Sequence, residues 1–253
     1  MAEKKVAPTP EPEAAGTNVI DYMAELQALT IATQAAEKPK SNWISFKGGQ
    51  LTINEMRMKD DKAPVIVVQS IFENQWYKER YDPNNPSTPH CYALGETDED
   101  LRPHPEAAEP QSDTCATCPK NEWKSDPGGG KGKACKNVRR LALMSADDAK
   151  APETIAKAEV VMAKLPVTSV RNWSSYASQI ANVLKVPPLA VITEISCVPD
   201  PKTQLQVNFA LLDKITDGPT IQALLQRRKD IHPMIFAPYD KPSEAAPEQP
   251  RKY

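Results

Sequence analysis

No apolar run in this 253-residue chain approaches the roughly 20 residues a membrane-spanning helix requires, so no membrane partner is expected. The first residues, Met1-Ala-Glu-Lys-Lys, are charged and lead into proline-rich sequence, where a secretory leader would carry an apolar core. A disulfide framework is therefore not expected, and the reading is an intracellular protein with reduced thiols. Histidine occurs only three times, at His90, His104 and His232, and none stands in a Ser/His/Asp or Cys/His arrangement. No P-loop or dinucleotide fingerprint occurs either. The run Gly128-Gly-Gly-Lys131-Gly-Lys133 lacks the Walker spacing and the hydroxyl residue after lysine. No His-x-Glu element stands beside a Pro-Cys-x-x-Cys to make a nucleobase deaminase. The expectation is a protein that is not an enzyme. A net charge of -2 gives no global pull toward nucleic acid, so any such contact must be local.

Four of the five cysteines cluster. Cys115-Ala-Thr-Cys118-Pro puts two thiols on one tight knuckle, the geometry that supplies half a tetrahedral zinc shell. Cys135 closes the loop and Cys91 lies upstream as the fourth ligand, with His90 beside it as the substitute. One structural zinc ion is expected; the alternative is a set of free or disulfide-paired thiols. A catalytic zinc keeps an open position, whereas four cysteines close the shell. Cys197, within an apolar run, reads as a buried strand residue.

Charge is unevenly placed. Residues 96–113 are acidic, whereas Lys120, Lys124, Lys131, Lys133, Lys136, Arg139 and Arg140 crowd the metal loop and the segment leaving it. The glycines let backbone approach phosphates, and Lys131, Lys133 and Lys136 supply charge beside them. Arg139 and Arg140 open a strand, where neighbours face opposite ways, so only one can join a given groove. Trp76, Tyr77 and Trp123, near polar turns, are candidate stacking rings for a single strand. Phe46, Phe72 and Trp173 read as core.

Along the chain, residues 1–40 read as a disordered arm with a helix over about 18–37. Residues 41–81 and 136–236 form the folded core, 82–135 an inserted zinc module, and 237–253 a flexible tail. Strands are expected around the Gly48-Gly49 turn, over 63–72, 138–144 and 158–165, and as a hairpin of 189–198 with 204–212. Helices are expected over 168–184, capped by Thr168 or Ser169, and over 218–230 with Ile221, Leu224 and Leu225 inward. The sum is a mainly β chain with helices, an α+β fold of OB-like barrel type carrying an inserted zinc-binding subdomain; a sandwich is the alternative.

Cys91, the stretch Cys115-Ala-Thr-Cys118-Pro-Lys-Asn-Glu-Trp123 and the stretch Gly130-Lys-Gly-Lys-Ala-Cys135-Lys-Asn-Val-Arg139-Arg140-Leu together resemble a pattern of tailed-phage and prophage proteins. Leu165-Pro-Val-Thr-Ser169 with Trp173 and Tyr176, and Val191-Ile-Thr-Glu194-Ile, resemble the same group. The plan is similar to the zinc-containing single-stranded-DNA-binding (helix-destabilising) proteins of phages, over about residues 40–235. The resemblance implies a metal subdomain inserted in an OB barrel, single-stranded DNA and replication proteins as partners, and the cytoplasm of a bacterial host. The chain would coat exposed strands in replication or recombination. It departs from those proteins in lacking a strongly acidic tip, since it ends Glu244-Ala-Ala-Pro-Glu-Gln-Pro-Arg-Lys-Tyr253. A second reading is a structural or adaptor protein whose zinc module docks a replication or transcription partner.

Overall fold

The computed structural model describes residues 19–37, 42–79 and 87–239, and divides into two units, residues 1–40 and 41–253. The disorder expected for residues 1–17 and the mobility expected for 240–253 lie outside the described residues; Ala237 and Tyr239, placed at the start of the flexible tail, are instead bonded to Arg140 and Glu73. In the first unit, helix α1 spans Val19–Ala36.

The second unit is built on one seven-stranded sheet, curled into a half barrel. Its strands are β1 (Trp43–Ile44), β4 (Lys62–Trp76), β5 (Cys91–Gly95), β6 (Lys136–Ser145), β7 (Val161–Leu165), β8 (Val191–Asp200) and β9 (Gln204–Lys214). A small separate ladder pairs β2 (Thr52–Ile53) with β3 (Met56–Arg57). The order is β1-β7-β6-β4-β8-β9, with β5 also paired to β4. All pairings in the large sheet are antiparallel except β1 with β7. The fold is thus mixed α and β, as expected at that level.

The long β4 organises the sheet. On one edge it pairs with β6 along most of its length. On the other it pairs with β8 through Lys62–Val65 and with β5 through Phe72–Trp76, so the two partners fork and strand pairing skips residues 66–71. The register against β6 slips between Val67 and Gln69, which makes Val68 an extra, bulged residue. A bulge reverses the alternation of side chains. Before it, Ala63, Val65 and Val67 face one side and Ile66 the other. After it, Ser70 and Phe72 take the first side, while Ile71 and Glu73 take the second.

Both faces are covered, which is why Val65-Ile-Val-Val68 is continuously apolar and not alternating. One face packs Leu141, Leu143, Val191 and Val207 against Trp173, Tyr176 and Ile180. Trp173 and Tyr176 belong to α3 (Val170–Gln179), which passes into a wider turn over Ile180–Leu184. The other face packs Ile66, Ala142 and Met144 against α2 (Pro152–Lys157) and α4 (Gly218–Ile235) through Ile155, Leu224 and Ile231. Each such fully buried aliphatic side chain contributes about 1.5–3 kcal/mol.

Several expectations are corrected. The helices expected over 168–184 and 218–230 lie on opposite faces of the sheet. Leu225 is exposed, and only Leu224 of that pair points inward. Ser169 precedes α3 but its side chain makes no cap; its Oγ accepts from the Val207 amide of β9 at 2.9 Å. The strand expected over 158–165 begins three residues later, and β5 was not expected at all. Cys197 and Trp173 are buried, as read.

Candidate functional site

The segment between β5 and β6 has little periodic structure and is held by spaced backbone contacts. The His104 amide donates to Tyr92 O, Glu109 to His90 O, and Cys115 to Leu101 O, all at 2.7–2.9 Å. Cys115 and Cys118 form a tight knuckle: the Asn121 amide donates to Cys118 O, and Asn121 Nδ2 donates to Cys115 O, each at 2.8 Å. The Cys135 amide donates to Lys120 O at 2.8 Å, so Cys135 is clamped to the knuckle before β6 begins.

Cys91, Cys115, Cys118 and Cys135 all line one cavity of about 10 Å³, with Asn74, Trp76 and Tyr92 among its walls. All four are buried and none forms a disulfide. Burial pushes the Cys135 thiol up to about 12, and the neighbouring Cys115, Cys118 and Cys91 add to it. Burial raises Cys91 and Cys115 as well, the latter opposed by a hydrogen bond from Asn74. Without a cation these groups stay neutral thiols, because clustered thiolates repel one another in a dry site. Among the described residues no group of three or more His, Cys, Asp or Glu is already drawn together as a metal cluster, so the thiols share a cavity and not a finished shell. His90 does not line that cavity; its Nδ1 accepts from the Lys78 amide at 3.4 Å and its ring lies edge-on to Trp76.

The candidate nucleic-acid residues separate into three groups. On the outer loop, Trp123 is 73% exposed, Lys131 is exposed, and Lys133 Nζ stands 5.2 Å over the Trp123 ring. Lys133 is also tied to Asn121 Oδ1 and Asn137 Oδ1, and Lys136 to Asp126 at 2.7 Å, so these two cations brace the loop. Asp126 organises the glycine turn too, since its Oδ1 accepts from the Gly128 amide. Gly129 and Gly130 there adopt φ of 81° and 95°, which side chains with a Cβ resist. Trp76 and Tyr77 form a second group at the end of β4. Lys120 Nζ lies 5.4 Å over Trp76, and Tyr77 Oη donates to Gln75 Oε1 at 2.7 Å.

Arg139 and Arg140 part company on opposite faces of β6. Arg140 is 3% exposed, bonded through Nε and Nη2 to Glu73 and through Nη1 to the Ile235 and Ala237 carbonyls. It is a core residue and leaves the proposed phosphate track. Arg139 lies over Phe72, its guanidinium carbon 3.0 Å from the ring centroid, facing a separate cleft. That cleft was missed, with Gln69 and Ser70, and Phe72, read as core, is half-buried in its wall. The available signal was the pair Gln69-Ser70 interrupting an otherwise apolar strand.

Compared with known proteins, the chain matches no family model, no curated protein and no solved structure.

Proposed function

We propose that this chain binds single-stranded DNA without catalysing a reaction, and coats exposed strands in phage or prophage replication or recombination in the host cytoplasm. In this reading the half-barrel sheet is of OB type, and the segment between β5 and β6 is a zinc-stabilised subdomain. The observation that carries it is Trp123: a large ring 73% exposed, with the Lys133 ammonium over it, on a loop rooted between buried cysteines. An exposed indole costs hydration free energy unless it meets a partner, and a flat π face beside cations suits an unstacked base.

The donor set fits zinc. Four soft, buried, reduced sulfurs bound one cavity too small for an organic ligand. Cys91, Cys115, Cys118 and Cys135 would hold the ion. When bound it stabilises thiolates and cross-links the start of β5, the knuckle and the start of β6. The chain's own residues do the rest: Asn74 faces Cys115, and Asn121 ties the knuckle backbone. Lys131 and Trp123 then present charge and ring on a fixed loop.

A salt titration of labelled oligo-dT against duplex of equal length tests the reading. The expected outcome is oligo-dT binding that weakens steeply with salt, with duplex far weaker because its bases are already stacked. No oligo-dT affinity at low salt sinks the proposal and leaves the adaptor reading.

A further inference from the structure

The fork in the sheet produces a cleft that the zinc loop does not use. Where β8 and β5 diverge along β4, a space of about 530 Å³ opens between β4, α3, the Pro187-Pro188 turn and Leu225 of α4. The bulge at Val68 aims Ser70 and Phe72 toward it. Trp173 Nε1 donates to Ser70 Oγ at 3.1 Å and so fixes the indole wall.

Two side chains in this cleft have unmet hydrogen-bonding capacity. Arg139 Nε and Nη1 are buried and have no partner, and neither has Gln69 Oε1. Gln69 is held in place from its other end, its Nε2 donating to Glu96 Oε1 at 3.0 Å and lying 3.3 Å from His232 Nδ1. The carboxylate of Glu96 is balanced by Arg228 at 2.8 Å. Asp98, exposed on the following loop, acts on Arg139 only electrostatically. Burial pulls the Arg139 guanidinium down to about 10, a measure of how poorly its charge is solvated. A half-buried cation with two idle buried donors is costly unless an anion completes it.

We propose that this cleft binds one nucleotide unit, with its phosphate on Arg139 and its base donating an N–H to Gln69 Oε1. The space is of nucleotide size, and the Arg139 guanidinium, its carbon 3.0 Å from the Phe72 ring centroid, stands in its wall with unmet donors for phosphate oxygens. Val67, Leu189 and Leu225 give the sugar and base an apolar wall. The phosphate belongs either to a free nucleotide or to a bound strand. Only the second source rests on the single-strand reading.

The test is titration calorimetry of the full chain with dTMP, thymidine and inorganic phosphate, together with polarisation of labelled oligo-dT. The variants are Arg139→Gln and Ser174→Trp. Ser174 is exposed on α3 at the cleft, so the added indole fills the space without entering the core. The expected result is dTMP bound about 10- to 100-fold more tightly than thymidine, competition by phosphate, and loss of dTMP binding in both variants. Melting curves of the variants verify that each is folded. Binding of dTMP no tighter than thymidine, or unchanged in Ser174→Trp, overturns the proposal. Arg139-dependent dTMP binding without oligo-dT binding supports the cleft as a free-nucleotide site and sinks the single-strand reading. Salt-sensitive oligo-dT binding with no dTMP binding, untouched by either variant, overturns the cleft and leaves the single-strand reading standing.

Discussion

Glu73 and Arg140 form a two-pronged ion pair inside the protein, 2.9 Å and 3.1 Å apart at its two contacts, with Glu73 fully buried. They lie on neighbouring strands and meet on the face that the bulge gives to Glu73. Lys164 approaches Glu73 at 3.7 Å, and Tyr239 donates its hydroxyl to the same carboxylate. The network thereby joins β4, β6, β7 and the segment after α4. Removing Arg140 takes both short ionic contacts from the buried Glu73 and leaves it only Lys164 at 3.7 Å and the Tyr239 hydroxyl. Arg140→Met should destabilise the fold by about 3–5 kcal/mol in urea unfolding, and Glu73→Met/Arg140→Met by clearly less. A double variant as unstable as the single one would show that the pair does not act as a unit.

The same pair sets a pH dependence. Burial alone would raise the Glu73 carboxyl, but Lys164 and the Arg140 guanidinium outweigh it and hold it below its ordinary 4.5. A depressed folded value stabilises above 4.5 and is lost as pH falls through the lower folded value. Asp61, bonded to Arg57, contributes in the same sense, as do Asp200, bonded to the Thr203 amide, and Asp217, bonded to Thr220. Burial lowers the Lys164 ammonium from its ordinary value and raises the Tyr239 hydroxyl. Wild type should therefore lose stability on acidification more steeply than Glu73→Gln, measured as unfolding free energy against pH. Parallel curves would assign the acid sensitivity to the surface aspartates alone.

Metal content gives the third prediction. Protein purified without added zinc should carry one equivalent, and Cys118→Ser should lose most of it. Chelation should expose residues 96–135 to protease while β4, β6 and α3 persist, because their two main clusters hold no knuckle cysteine and only Phe72 of β4 packs with the hydrophobic cluster of Cys115. Full metal content in Cys118→Ser, read by elemental analysis, would refute the assignment.

Local pattern carried much of this into the sequence. The knuckle Cys115–Cys118, the hairpin of β8 and β9, and the stripe holding Trp173 and Tyr176 each declare themselves within a few residues of spacing. What was illegible depends on contacts distant in the chain. Nothing near Arg139 and Arg140 says which enters the core ion pair and which faces the cleft; Glu73 and Phe72, more than sixty residues earlier, decide it through strand register. Lys133 and Lys136 read as free cations because Asn121 and Asp126, which tie them, are brought back only by the glycine turn. β5 was hidden because its five residues follow a proline-rich stretch and gain their order from pairing with β4.

Those ties determine how the DNA-binding surface should be tested. A Lys131/Lys133/Lys136 triple alanine variant would confuse lost charge with a loosened loop, since two of the three lysines brace it. Lys131 is exposed and Trp123 projects outward, so Lys131→Ala and Trp123→Ala separate the two kinds of contact. Loss of one phosphate contact should flatten the salt dependence by about 0.7 logarithmic unit for all sequences alike. Loss of a stacked base should instead cost about 1–3 kcal/mol with the slope unchanged. Lys133 would then lose the ring beneath it but keep both asparagine partners, so the loop should hold its shape in Trp123→Ala. Oligo-dT affinity measured across a salt series decides the matter. If Trp123→Ala binds like wild type at every salt concentration, the exposed indole is not a stacking platform for the strand.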